Sequence, residues 1–160
     1  MNKILYSLFL LFMVAGCSSV QQTESSSQAS SYHFLPPTVH FKVADTTYST
    51  EQGSYCWRDG NSAECLSLSS PAEIVEYKEP IEVSANKSIT LLPERQPAQQ
   101  TLNMTNTEDN ISEEIEINKD NRFKTPKTKG VYVIEYYAVW EKDDKGTSGD
   151  SSYVFKIEVK

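Results

Sequence analysis

Histidine is almost missing from this chain. The two present, His33 and His40, leave little scope for the commonest acid–base side chain, which needs a nucleophile or carboxylate within hydrogen-bond reach. Cys56 with His40 is the one conceivable dyad. A Gly-x-Ser-x-Gly elbow, a phosphate-binding glycine loop and a His-Glu-x-x-His pair are all absent, which removes the common hydrolase and nucleotide signatures. Positive charge is also scarce. Fifteen Lys and Arg face 22 Asp and Glu, for a net charge of −7. With no basic stripe, nucleic acid is a poor partner, and no polybasic patch is there to hold anionic headgroups. Long apolar runs are lacking too. The longest, Ile4 to Val14, falls short of the ~20 residues a membrane-spanning helix needs. Three cysteines remain to be explained: Cys17, Cys56 and Cys65.

What is present begins with a secretory layout. Lys3 is a short positive region, Ile4 to Val14 an apolar run, and Ala15-Gly16 a small-residue exit. Val14-Ala15-Gly16-Cys17 resembles the lipobox of bacterial lipoproteins, with Val14 where the family usually has Leu. The resemblance implies that residues 1–16 are a signal cut before Cys17, and that Cys17 carries a diacylglycerol thioether. Cys17 would then anchor the chain to the lipid bilayer on the extracytoplasmic face of the cell membrane, since two or more acyl chains hold a protein stably. Removing residues 1–16 takes away Lys3 and no acid, so −7 becomes −8.

Residues 17–35 read as a tether. Ser18 to Ser31 is Ser/Gln-rich with almost no apolar residue, a composition that cannot offset its ordering entropy. Pro36-Pro37 opens one domain, 36–160, large enough for a real core.

That domain reads as mainly β. Alternating or β-rich runs cover residues 38–43, 53–57, 64–68, 81–84, 88–92, 101–105, 111–117, 131–140 and 153–159. Ser70-Pro71-Ala72-Glu73 has the pattern of a capping box with proline at the first helical position, so one short helix is expected there. Thr128-Lys129-Gly130-Val131-Tyr132-Val133-Ile134 resembles the tyrosine corner of immunoglobulin-like domains, with Ile134 where that family places a cysteine. The resemblance covers about residues 80–160 and implies an immunoglobulin-like β-sandwich ending in two paired strands. Tyr132, Ile134, Tyr136, Ala138 and Trp140 should share its core face. The earlier strands and the cysteine hairpin read as an added N-terminal layer. The lipobox, Gly53-Ser54-Tyr55-Cys56-Trp57 and the C-terminal hairpin together resemble small surface lipoproteins of Gram-positive bacteria, and no activity comes with that likeness.

Outside the cytosol disulfides persist, and with Cys17 acylated two thiols are left. A turn at Gly60-Asn61 sets Cys56 opposite Cys65 in a non-hydrogen-bonded pair, close enough for a disulfide. A turn at Asp59-Gly60 would instead face Cys56 with Ala63. Zinc would need two further ligands. The expectation is therefore an N-terminal hairpin stapled by Cys56–Cys65.

No residue is assigned to catalysis, a metal or a cofactor. Asp143, Asp144 and Asp150 are oxygen-rich but lack EF-hand spacing. Glu113, Glu114 and Glu116 fit a solvated edge strand. Trp57, expected to pack over the staple, and Tyr137, whose face reads as partly covered, are the candidates for touching a partner, an unidentified protein or envelope polymer. The expected function is a non-catalytic binding or structural module of the cell envelope. The alternatives are a protease inhibitor presenting loops 94–100 and 141–152, which rests on fold analogy alone, and a hydrolase or redox enzyme using the cysteines.

Overall fold

The computed structural model describes residues 35–160. Residues 1–34, with the expected signal, Cys17, nearly all of the tether and His33, lie outside the described residues. Along the chain come β1 (Val39–Val43), β2 (Thr46–Ser49), β3 (Glu51–Asp59), β4 (Ser62–Leu66), α1 (Pro71–Ile74), β5 (Ile81–Val83), β6 (Ser88–Pro93), β7 (Gln99–Asn106), β8 (Ser112–Glu114), β9 (Arg122–Lys124), β10 (Gly130–Trp140) and β11 (Ser148–Val159). They build a β-sandwich. One sheet has the order β2-β1-β6-β9; the other has the order β4-β3-β11-β10-β7-β8, with β5 parallel to β11.

The core follows from period-two alternation in the two longest strands. Tyr132, Ile134, Tyr136, Ala138 and Trp140 of β10 are all buried, as are Tyr153, Phe155, Ile157 and Val159 of β11. Across the sandwich Phe41 of β1 stacks on Phe155 with ring centroids 4.0 Å apart. Two core phenols need partners, because an unpaired buried hydroxyl is costly. Tyr136 donates to Gln100 Oε1 at 2.7 Å, and Tyr153 donates to the Pro37 carbonyl. Burial pushes both hydroxyls up, that of Tyr153 to about 12.

From β5 onward the architecture is immunoglobulin-like. β7, β10 and β11 lie side by side in one sheet, β6 and β9 in the other. The Tyr132 hydroxyl donates to the Thr128 carbonyl at 3.0 Å, which is the tyrosine corner at the turn between the sheets. The expected N-terminal layer is not one. β1 pairs with β6, extending the smaller sheet, and β3 pairs with β11, extending the larger. Open sheet edges explain this: unpaired backbone groups on β6 and β11 are satisfied by adding strands, not by stacking a third layer. The stapled hairpin β3–β4 is thus an outer part of the main sheet.

The single helical turn also finds a place. The Ser70 amide and hydroxyl both donate to Glu73 Oε2, at 2.9 and 2.8 Å, which holds the Glu73 carboxyl below its ordinary range. The turn drops Val75 onto Val133 and Val154, forming a small second core on the outer face of the large sheet. The partial cover expected over that face therefore comes from the α1 segment.

Some boundaries shift. β11 starts at Ser148, so residues 148–152 are strand and not hairpin loop. The 111–117 run keeps only Ser112–Glu114 as strand. β2 and β9 had no sequence expectation.

Replacing Tyr132 by Phe removes the corner hydrogen bond and leaves the ring. The expected loss is about 1 kcal/mol, read as a lower urea midpoint with an unchanged slope.

Candidate functional site

The staple forms where the turn chemistry puts it. Gly60 takes φ 58° at the first central position, where a hairpin turn of the primed type favours glycine. Asp59 then faces Ser62, Trp57 faces Glu64 and Cys56 faces Cys65. The two cysteines are disulfide-bonded with Cα atoms 4.1 Å apart. Both lie on the exposed outer face. Oxidation also removes the Cys56–His40 dyad; His40 sits exposed on β1, in the other sheet.

Strand alternation sends Trp57 the opposite way. It is 3% exposed, so it neither covers the staple nor offers a contact surface. Its ring meets Trp140 edge-to-face at 5.6 Å, a preferred aromatic geometry. Arg95 lies over both rings, 5.2 Å from the Trp57 centroid and 6.0 Å from that of Trp140. Its Nη2 is buried with no hydrogen-bond acceptor, so the ring faces supply the attraction. Its Nη1 meets Asp143 Oδ2 at 3.1 Å, and its carbonyl accepts from Trp140 Nε1 at 2.9 Å. Arg95 was not singled out in the sequence.

This cluster fastens together the two loops expected to present an inhibitory surface. Beyond the Arg95–Asp143 pair, the Ala98 amide donates to the Val139 carbonyl, and Gln96 and Gln100 both bond the Asn121 amide. The aspartates do not converge as calcium ligands. Asp143 Oδ1 accepts from the amides of Lys145 and Thr147 within its own turn, while Asp150 lies on β11 and hydrogen-bonds Tyr137.

Tyr137 is 38% exposed. Burial and the neighbouring Asp150 carboxylate push its hydroxyl up. Since Val139 pairs with Asp150 and Asp150 with Cys56, Tyr137, Asp150 and the disulfide share one outer face. Beside the staple lies a shallow depression of about 230 Å³, walled by Arg58, Ser148 and Asp150. β11 approaches β3 closely here: a Cβ on Gly149, at φ 153°, would collide with the Cys56 carbonyl and the Trp57 ring.

A second concavity, of about 300 Å³, opens between β8 and β9. Met104, Ile111 and Ile115 form apolar walls, with Asp109, Glu113 and Lys124 at the rim. Burial first, then the charges of Asp109, Glu108 and Glu113, pushes the Tyr132 hydroxyl up there. A further surface feature is the rim of the large sheet, β4, all five of whose residues are exposed.

Compared with known proteins, the chain matches no family model, no curated protein and no solved structure.

Two outcomes follow. Cys56→Ser with Cys65→Ser should cost about 2.5–3 kcal/mol, the loop-entropy value for so short a ring, and mass measurement of the unreduced protein should find neither thiol free. The Thr147 amide foremost, then the Lys145 amide and the charges of the Arg95 guanidinium and Lys145, hold the Asp143 carboxyl below its ordinary 3.8. A depressed pKa gives stability that is full above the ordinary value and is lost as pH falls through the folded one. The amides of Lys145 and Thr147 should therefore shift together in an acid NMR titration with a midpoint under 3.8.

Proposed function

We propose that the chain is an extracytoplasmic lipoprotein, held on the cell membrane through an acylated Cys17, whose sandwich is a non-catalytic binding or structural module of the cell envelope. The Cys56–Cys65 disulfide carries this reading. It fits the oxidising compartment that a lipobox-type signal implies, and it commits both remaining thiols to structure, away from redox or nucleophilic work. The loops at the Arg95 end are tied to one another. Contact surface remains on the outer face around Tyr137 and along β4.

The test uses the full chain in a lipoprotein-processing bacterium. Labelled fatty acid should enter the protein, and Cys17→Ser should abolish the label and move the chain from the detergent phase to the aqueous phase. Equal partitioning of the two forms would overturn the anchoring. For the module itself, capture from envelope extracts should recover a partner; recovering nothing at any salt concentration would remove the binding role.

A further inference from the structure

The two sheets turn opposite charge to solvent. Alternation buries Phe41, Ile89, Leu91 and Phe123 of the small sheet, so their neighbours His40, Lys42, Arg122 and Lys124 point outward. The other outward positions are Thr47, Ser49, Ser88, Thr90 and Leu92. No carboxylate stands among them. The outer face of the large sheet carries Glu114, Glu135, Asp150 and Glu158 against Arg58 and Lys156. The chain is acidic, at −7, yet one of its two broad faces is cationic.

Register gathers the cations. Lys42 lies opposite Thr90, and Thr90 opposite Arg122, which puts Lys42 and Arg122 two strands apart, ~10 Å. Lys124 is the next outward residue after Arg122, ~7 Å along β9. Lys42 and the β9 pair are far apart in the chain, so the sequence shows no basic patch and only the sheet assembles one. Arg122 and Lys124 pair with no carboxylate among the described residues. Lys42 meets Asp45 loosely, at 3.9 Å. The bordering loops balance out, with Asp45, Glu94, Glu116 and Asp120 against four lysines.

We propose that this face docks on an anionic bilayer surface, the one that would hold the acylated Cys17; the docking rests on the lipoprotein reading. Three observations select that occupant. Short Ser and Thr side chains separate the cations on a broad sheet surface, so the long charged side chains can reach a plane of headgroups together. Leu92, 38% exposed on the same face, adds an apolar contact. The tether read at residues 17–35 leads into β1, whose His40 and Lys42 belong to this face. Its 19 residues span ~24 Å as a flexible coil, so the anchor keeps the face within reach of the headgroups. Each lysine or arginine near such a surface is attracted by its negative potential. The net acidity does not cancel this. The large sheet lies ~10 Å behind the small one, beyond the ~8 Å over which physiological salt screens charge.

The full chain, made in a lipoprotein-processing bacterium, is reconstituted from detergent into vesicles of phosphatidylcholine, alone or mixed with phosphatidylglycerol. A dye on Ser49→Cys marks the small-sheet face, and a dye on Thr101→Cys marks the opposite face. With Cys17 acylated and Cys56–Cys65 oxidised, the introduced thiol alone takes the dye. Energy transfer to an acceptor on the headgroups should rise for Ser49→Cys and fall for Thr101→Cys when phosphatidylglycerol is added, and high salt should reverse both. Arg122→Glu with Lys124→Glu should abolish the rise. Lys142→Glu with Lys145→Glu, the same charge change in the hairpin 141–147, should preserve it; native near-ultraviolet circular dichroism of both variants excludes misfolding as the cause. Transfer from Ser49→Cys that stays level or falls overturns the proposal, as does a rise that survives Arg122→Glu with Lys124→Glu. Retention on inorganic polyphosphate without any response to phosphatidylglycerol also overturns it, because the face then serves a soluble polyanion. If no labelled fatty acid enters the chain, the anchoring reading fails by itself, and the same dye measurement on Cys17→Ser chains still decides the docking.

Discussion

The last strand is hydrogen-bonded on both sides, and the rest of the sandwich is arranged around it. β11 pairs with β10 over eleven residues, from Gly130–Val159 to Trp140–Gly149. Its other edge takes β3 along its first part and β5 along its last. Its inward residues stack on β1 through Phe155 and bond the domain's entry through Tyr153 and Pro37. Its outward Val154 receives the helical turn through Val75. Every N-terminal addition is therefore fixed, directly or through one neighbour, by residues 148–159.

The sequence was most legible where one periodicity had no competitor. The core face of β10, from Tyr132 to Trp140, can be read off by alternation because each inward position is aromatic or aliphatic. The stapled hairpin was legible because Gly60 leaves only one turn register that brings the cysteines together. Trp57 was misplaced for a reason the sequence itself contained. If Cys56 faces out, period two sends its neighbour inward, and the core beneath had the Trp140 ring to offer. β2 escaped notice because the turn before it puts Ala44 at φ 50°, where Gly, Asn or Asp would have signalled a reversal. β9 is one buried Phe123 between two exposed cations, and only its pairing with β6 makes it a strand. Arg95 could not be read at all: a cation in a Pro/Gln loop carries no hint that two distant indoles will converge beneath it.

The molecule treats its two ends differently. At the Arg95 end, a cation over two indoles, an ion pair and side-chain amide bonds draw separate loops into one fastened unit. At the β8–β9 edge the sheets part and leave a concavity with apolar walls under a charged rim. The outer face shows the same contrast on a smaller scale. Val75 covers Val133 and Val154, while Tyr137, Asp150 and the disulfide stay open to solvent. Open surface and cross-linked surface are thereby kept apart.

The position of β11 in the chain also sets the order of events during synthesis. β3 has no sheet to join until residues about ninety positions later have emerged, since Arg58 pairs with Ser148. The hairpins β1–β2 and β3–β4 can close early from local contacts, but the large sheet closes only when β11 arrives, and such non-local pairing is slow. A polypeptide built this way leaves the ribosome with its central strand unmade for most of synthesis. That delay makes residues 148–159 the step at which a thread becomes a domain.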